Sequence, residues 1–126
     1  MKIILSVLGL LACSPVFAAW TAYDQTSTAT ELFDKATIEK TGTSVRVWAM
    51  TNHRAAITNL EGKELLSEKA LTTIDCSAKK IGAEVVMTFS GKDTTGVRLG
   101  FMETPLRLTP IKPGSSDDAL MKVVCR

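Results

Sequence analysis

The sequence predicts an α+β fold for residues 19–126: an antiparallel β-sheet, a short C-terminal helix packed on it, and one disulfide. Three observations predict it. Apolar side chains recur at every second position through residues 44–52, 69–76, 80–90 and 96–102, the period of a pleated strand. Turn residues separate these runs, at Lys40-Thr41-Gly42, around Gly62 and at Gly91-Lys92-Asp93. The pattern becomes helical only after Ser115, beyond a proline-bearing stretch.

In chain order, Trp20 to Asp24 reads as a short strand, and residues 26–30 as a hydroxyl-rich turn or an irregular strand start. Glu31 to Phe33 continues extended, and Asp34 caps a brief turn through Ile38. Ser44 to Asn52 is the clearest strand. Val45, Val47 and Ala49 share one face, and Arg46, Trp48 and Met50 share the other. Large apolar groups on both faces predict a central strand covered on both sides, with Trp48 buried. Residues 53–64 read as a loop, followed by a strand over 69–76.

Residues 80–90 and 95–102 form the natural antiparallel hairpin, joined by a solvated turn. Pro105, Pro110 and Pro113 make residues 103–114 an irregular crossing. Ser115 to Arg126 is the terminal helix. Ser115 caps it and Asp118 returns the contact in a capping box, while Leu120, Met121 and Val124 form its apolar stripe. A helix this short is marginal alone and needs the sheet and a tether at Cys125.

The first 18 residues read as an export signal. Lys2 supplies the positive start, residues 3–12 are apolar except for Ser6, and Val16-Phe17-Ala18 suits cleavage after Ala18. The apolar run is too short to span a bilayer as a mature helix. Leu10-Leu11-Ala12-Cys13 is a weak alternative cleavage box that would leave a lipidated Cys13, and only that route gives membrane association. Either route leaves Cys76 and Cys125 as the one available pair, and an exported domain keeps such a bond. The expected location is the periplasm or the cell exterior, or the outer membrane if Cys13 is lipidated.

The exported part, 108 residues, is one domain by length. The full chain has 15 Lys and Arg against 13 Asp and Glu, and losing Lys2 leaves 14 against 13. So small an excess excludes a field that steers nucleic acid. Catalysis and cofactor binding find no motif. His53, the sole histidine, has no nucleophile or orienting partner marked by spacing, and reads as an ordinary surface or strand-end residue, with metal or haem ligation the alternative. One histidine with paired cysteines gives no zinc set, and Met50, Met87 and Met102 read as core filler. Asp24, Asp34 and Asp75 occupy separate elements. Asp75 suits a strand-end hydrogen bond or a salt bridge, with Arg46 a candidate partner. Residues 91–96 lack the phosphate-loop spacing. No cofactor is expected, and no enzyme.

Trp20, Tyr23, Val45-Arg46-Val47-Trp48, Asp75-Cys76, Pro113-Gly114-Ser115 and Val124-Cys125 fall in an order that resembles the surface-adhesin protein E family of Gram-negative bacteria, from Trp20 to Cys125. The resemblance implies a small surface or secreted domain that binds host matrix or serum proteins such as vitronectin and laminin, with a dimer as an option. This chain departs from the family at Glu31-Leu32-Phe33, where relatives often carry a tyrosine-rich stretch. The reading is therefore an exported protein-binding domain with an unidentified partner. The alternatives are a periplasmic structural or envelope-assembly protein, and a small-molecule or haem-binding protein. Loops 53–64 and 103–114 are the expected contact surfaces. Trp20, Arg54 and Lys63 are the candidate interaction residues.

Overall fold

The computed structural model describes residues 19–126; the expected signal, its cut site and the lipidation of Cys13 lie outside the described residues. The strands are β1 (Trp20–Gln25), β2 (Ala29–Asp34), β3 (Glu39–Thr41), β4 (Ser44–Thr58), β5 (Glu64–Asp75), β6 (Lys80–Phe89), β7 (Arg98–Glu103) and β8 (Thr109–Pro110), followed by helix α1 (Ser116–Val124). They make one antiparallel sheet in the order β1-β2-β4-β5-β6-β7, with β3 beside β4 and β8 beside β6. The architecture is mostly sheet. Among the described residues its α-helical share is one nine-residue helix, smaller than an α+β label suggests.

The alternation in β4 decides the layering. Val45 and Val47 point to the face that carries α1, together with Phe33 of β2 and Ile74 of β5. Leu120 and Val124 of α1 and Ile111 of the crossing close over them. Val47 and Ile74 are fully buried and Leu120 is 1% exposed. Burying each such side chain contributes about 1.5–3 kcal/mol. Tyr23 of β1 packs tilted against Phe33, with ring centroids 6.0 Å apart.

The helix is set by its ends. Ser115 Oγ accepts from the Asp118 N–H at 3.2 Å. Asp118 does not complete the expected box. Its carboxylate accepts instead from the Gly114 N–H at 3.0 Å and pairs with Lys122 at 3.1 Å. That amide and the lysine hold the Asp118 carboxyl below the usual range. Cys125 is the C-cap, so the helix stops at Val124 rather than Arg126. Its sulfur is bonded to Cys76, one residue beyond β5.

Several expectations are corrected. Residues 53–58 are strand. After an irregularity between Asn52 and Ile57, pairing resumes at Ile57 with Leu65 and Thr58 with Glu64, and the loop shrinks to 59–63. No glycine or proline interrupts 53–58, and β-branched residues end it. The expected 53–64 contact loop is thus mostly a two-stranded extension. Residues 39–41 are also a strand, turning through Gly42 at φ +60 into β4.

The face opposite α1 is covered only in part: Met50 and Ser67 are buried on it, whereas Trp48 is half-buried, with Lys69 over its ring at 5.1 Å. Arg46 approaches Glu84 at 4.0 Å, not Asp75. Asp75 instead accepts from the Ser77 and Ala78 amides, the strand-end role. The 91–96 turn is not merely solvated. It folds back on β4 and β5: Asn52 and Asp93 exchange bonds of 2.7 and 2.8 Å, and buried Ser67 bonds Gly91 O and Thr94 N. Asp93 and Thr94 are held at positive φ there, a costly conformation for a β-branched residue. In the crossing, a Cβ at Gly82 would collide with the carbonyl of Arg107, so only glycine lets residues 106–107 lie against β6.

Two stability measurements check this account. Denaturant titration of a Cys76→Ser/Cys125→Ser variant is expected to show a loss of roughly 4 kcal/mol for a closed loop of this size. Leu120→Ala is expected to cost about 2–5 kcal/mol, whereas Leu60→Ala, on a fully exposed side chain, stays within about 0.5 kcal/mol. Equal costs for the two leucines would contradict the assigned core.

Candidate functional site

Helix α1 covers only one end of its face of the sheet. The rest is an open trough. Its floor is small because β4, β5 and β6 present Ala49, Thr51, Ala70, Thr72 and Ala83 there by alternation. Ile81, Val86 and Leu120 add apolar wall. The volume is about 430 Å³, within the range of ordinary ligand clefts. A second hollow of about 720 Å³ shares Glu31, Thr51, Glu68 and Ser116 with it and runs on towards Thr26–Ala29 and Arg54–Ile57.

The walls are acidic. Glu31 of β2, Glu68 of β5 and Asp117 of α1 line the main trough, and no Lys, Arg or His does. Glu31 Oε2 accepts from the Thr51 hydroxyl at 2.6 Å. Partial burial raises the Glu31 pKa, the Thr51 bond opposes this, and the charge of Glu68 adds to the rise. Burial, then the charges of Glu31, Asp117 and Asp24, push the Tyr23 phenol well up, so it stays protonated. Asp24 accepts from Ser116 Oγ at 2.6 Å, tying β1 to the start of α1.

His53 sits where the two hollows meet. It is on β4 opposite Ala29, not in a loop. Its side chain is 12% exposed, and Nε2 lies 3.8 Å from Glu68 Oε1. Nε2 is buried with no hydrogen-bond partner. Among the described residues no group of His, Cys, Asp and Glu is arranged to hold a metal.

The structure does not bring the candidate interaction residues together. Trp20 starts β1 opposite Asp34 and is half-buried there. Arg54 is exposed at the other end of that pair of strands, where its amide bonds Thr28 O, and it borders the second hollow. Lys63 lies in the 59–63 loop beside Glu61 at 3.5 Å. The trough residues Glu31, Glu68 and Asp117 escaped the sequence reading because they lie on three separate elements. The available signal was the polar Glu31 and Glu68 at inward-facing strand positions.

A separate feature is the β7 edge. Among the described residues β7 pairs with β6 alone. Val97, Phe101, Met102 and Leu106 are 40–66% exposed along it and the following crossing. Arg98 covers part of Phe101, 5.6 Å from its ring. The Thr104 N–H bonds Glu84 O across to β6. By alternation, the backbone groups of Phe101 and Glu103 therefore point away from the sheet, unpaired.

With the geometry in place, comparison with known proteins is decisive on one point. The surface-adhesin protein E profile matches residues 20–126, nearly all that the structure describes. The chain belongs to the surface-adhesin protein E family. No curated protein sequence matches the chain. Solved structures do. One of Haemophilus influenzae protein E has a TM-score of 0.66 at 11% identity, covering 88% of this chain and 86% of that one. A second crystal form of that protein gives 0.69 at 10%, covering 88% and 90%. Protein E from non-typeable Haemophilus influenzae gives 0.64 at 11%, covering 89% and 78%. At such identity these likenesses establish a shared fold. Among the described residues of this family member, no helix is long and apolar enough to cross a membrane.

One prediction concerns the trough of this adhesin-family domain. The Glu31 pKa is raised in the fold, so its ionisation costs stability as pH rises from below its unfolded value through its folded one. Glu31→Gln keeps the acceptor for Thr51 and removes that cost. Its melting temperature is expected to exceed wild type near pH 7, and to match it at a pH well below the ordinary glutamate pKa. A stability loss at neutral pH would show that the carboxylate is favourably paired.

Proposed function

We propose that this protein is an exported, non-enzymatic surface adhesin domain that binds a host matrix or serum protein, the two kinds of partner its family suggests. The observation that carries the reading is the β7 edge. Natural sheets usually shield an edge strand with charge, a bulge or a covering element. Here exposed Phe101 and Met102 lie on a strand whose outer backbone groups are unpaired. Main-chain bonding gives such an edge affinity for an extended segment, and the flanking side chains give it selectivity. Val97 and Leu106 enlarge the apolar surface, while Arg98 and Glu103 supply charge at its ends. The expected small-molecule and haem alternative finds less support: His53 lines the second hollow, but no cysteine or methionine lines either one.

The test is capture of purified vitronectin and laminin on immobilised protein at physiological salt, with envelope extract in parallel. Saturable capture of a matrix protein is expected. A Phe101→Ser/Met102→Ser variant is expected to lose most of it, at least about tenfold for two truncated apolar anchors, with its melting temperature close to wild type because both side chains are exposed. Selective capture of an envelope component alone would favour the envelope-assembly role.

A further inference from the structure

The acidic trough lies on the helix-bearing face, whereas β7 is an edge of the sheet, so the two surfaces are distinct. Three carboxylates converge from three elements, and the main trough offers no cation to any of them. Glu68 has only His53 near it, at 3.8 Å, and His53 Nε2 is itself sealed from water without a hydrogen bond. Lys122 faces Asp118, Lys63 faces Glu61, and Lys69 projects from the opposite face over Trp48. Apart from His53 beside Glu68, the described ion pairs bring no cationic side chain to these carboxylates. Between its carboxylates the floor is alanine and threonine, short side chains that leave room for a long aliphatic stem. A second hollow of about 720 Å³ shares Glu31, Thr51, Glu68 and Ser116 with it and is lined beyond them by Thr26–Ala29 and Arg54–Ile57, more space together than one side chain requires.

We propose that this trough docks a lysine- or arginine-bearing segment of a protein partner, with the cationic head held between Glu31, Glu68 and Asp117 and its stem lying on Ala49, Ala70 and Ala83. Charge complementarity selects the head. The length of the joined hollows selects a polypeptide over a small amine, since the adjoining residues of the segment occupy the stretch beside Thr26–Ala29 and His53. Arg54 borders the second hollow, favouring a segment with an acidic or neutral residue near the cation. The inference goes beyond the adhesin reading and is independent of the β7 edge.

The experiment is a calorimetric and amide-NMR titration of the purified protein. The probes are an acetylated, amidated Gly-Lys-Gly-Glu-Gly peptide, its Gly-Glu-Gly-Glu-Gly counterpart, and spermidine. The lysine peptide is expected to bind saturably, moving amides of residues 49, 51, 68, 70 and 83, while the acidic peptide does not bind. Glu31→Gln/Glu68→Gln is expected to weaken it at least about tenfold, the scale of lost charge-assisted bonds. Glu61→Gln, which removes an exposed carboxylate elsewhere, is expected to leave affinity unchanged. Spermidine binding as tightly as the peptide, equal affinity in the double variant, or shifts confined to other residues would each overturn the proposal. Circular dichroism of the double variant shows that it keeps its fold. These outcomes stand whether or not a matrix protein is captured at β7.

Discussion

The attachment of one short helix to one end of one face of the sheet is the constraint on which the rest depends. Nine residues cannot hold a helix in water. Two devices hold this one. Leu120 and Val124 enter the cluster of Phe33, Val45, Val47 and Ile74, and Cys125 is bonded to Cys76 beyond β5. Because the bond is at the helix C-terminus, the N-terminal end is placed by Ser115, Gly114 and Ser116. Ser116 reaches across to Asp24 on β1. A modest core results, adequate for a domain of this size only with a covalent contribution.

The same placement makes the candidate site. A helix long enough to cross the whole face would have filled the trough. This one stops short, and the uncovered strands present alanine, threonine and glutamate where a core would need larger apolar groups. The inner face is thus divided into a packed end and a polar, acidic end. The opposite face is divided differently. Its upper part is covered only by the 91–96 loop, held by Asn52 and Ser67, and the remainder carries half-exposed Trp48 and charged Arg46. These two incomplete faces and the bare β7 edge suit a surface domain that meets other proteins.

Much of this was legible in the sequence. The alternation at Val45, Val47 and Ala49 identified the strand and its inward side, and cysteine parity identified the bond. Ser115 marked the helix start. What failed did so for nonlocal reasons. Trp48 looks like a core residue because it is large and sits on a regular strand; its exposure depends on how many layers the domain has. Residues 53–58 look polar and loop-like, and become strand only because Leu65 and Glu64 return beside Ile57 and Thr58. The positive φ of Asp93 and Thr94 depends on partners over 20 residues away. The trough depends on a helix and on four strands, β2, β4, β5 and β6, whose order in the sheet no local pattern encodes. Local sequence makes His53 a surface or strand-end residue; its burial follows from β4 running on past it and from β2 pairing alongside.

Native-state hydrogen exchange, residue by residue, before and after reduction of the disulfide, tests the central claim most directly. If the tether and the apolar seam hold an otherwise unstable helix on a sheet that is stable without it, reduction speeds exchange at the amides of 119–125 by orders of magnitude. Amides in the centre of β4, β5 and β6 then speed by no more than about a thousandfold, the share of a global loss of about 4 kcal/mol, and keep protection that the helix loses. Loss of protection in sheet and helix together would mean that the sheet has no independent stability. Unchanged protection in the helix would mean that the bond to Cys76 does not hold it.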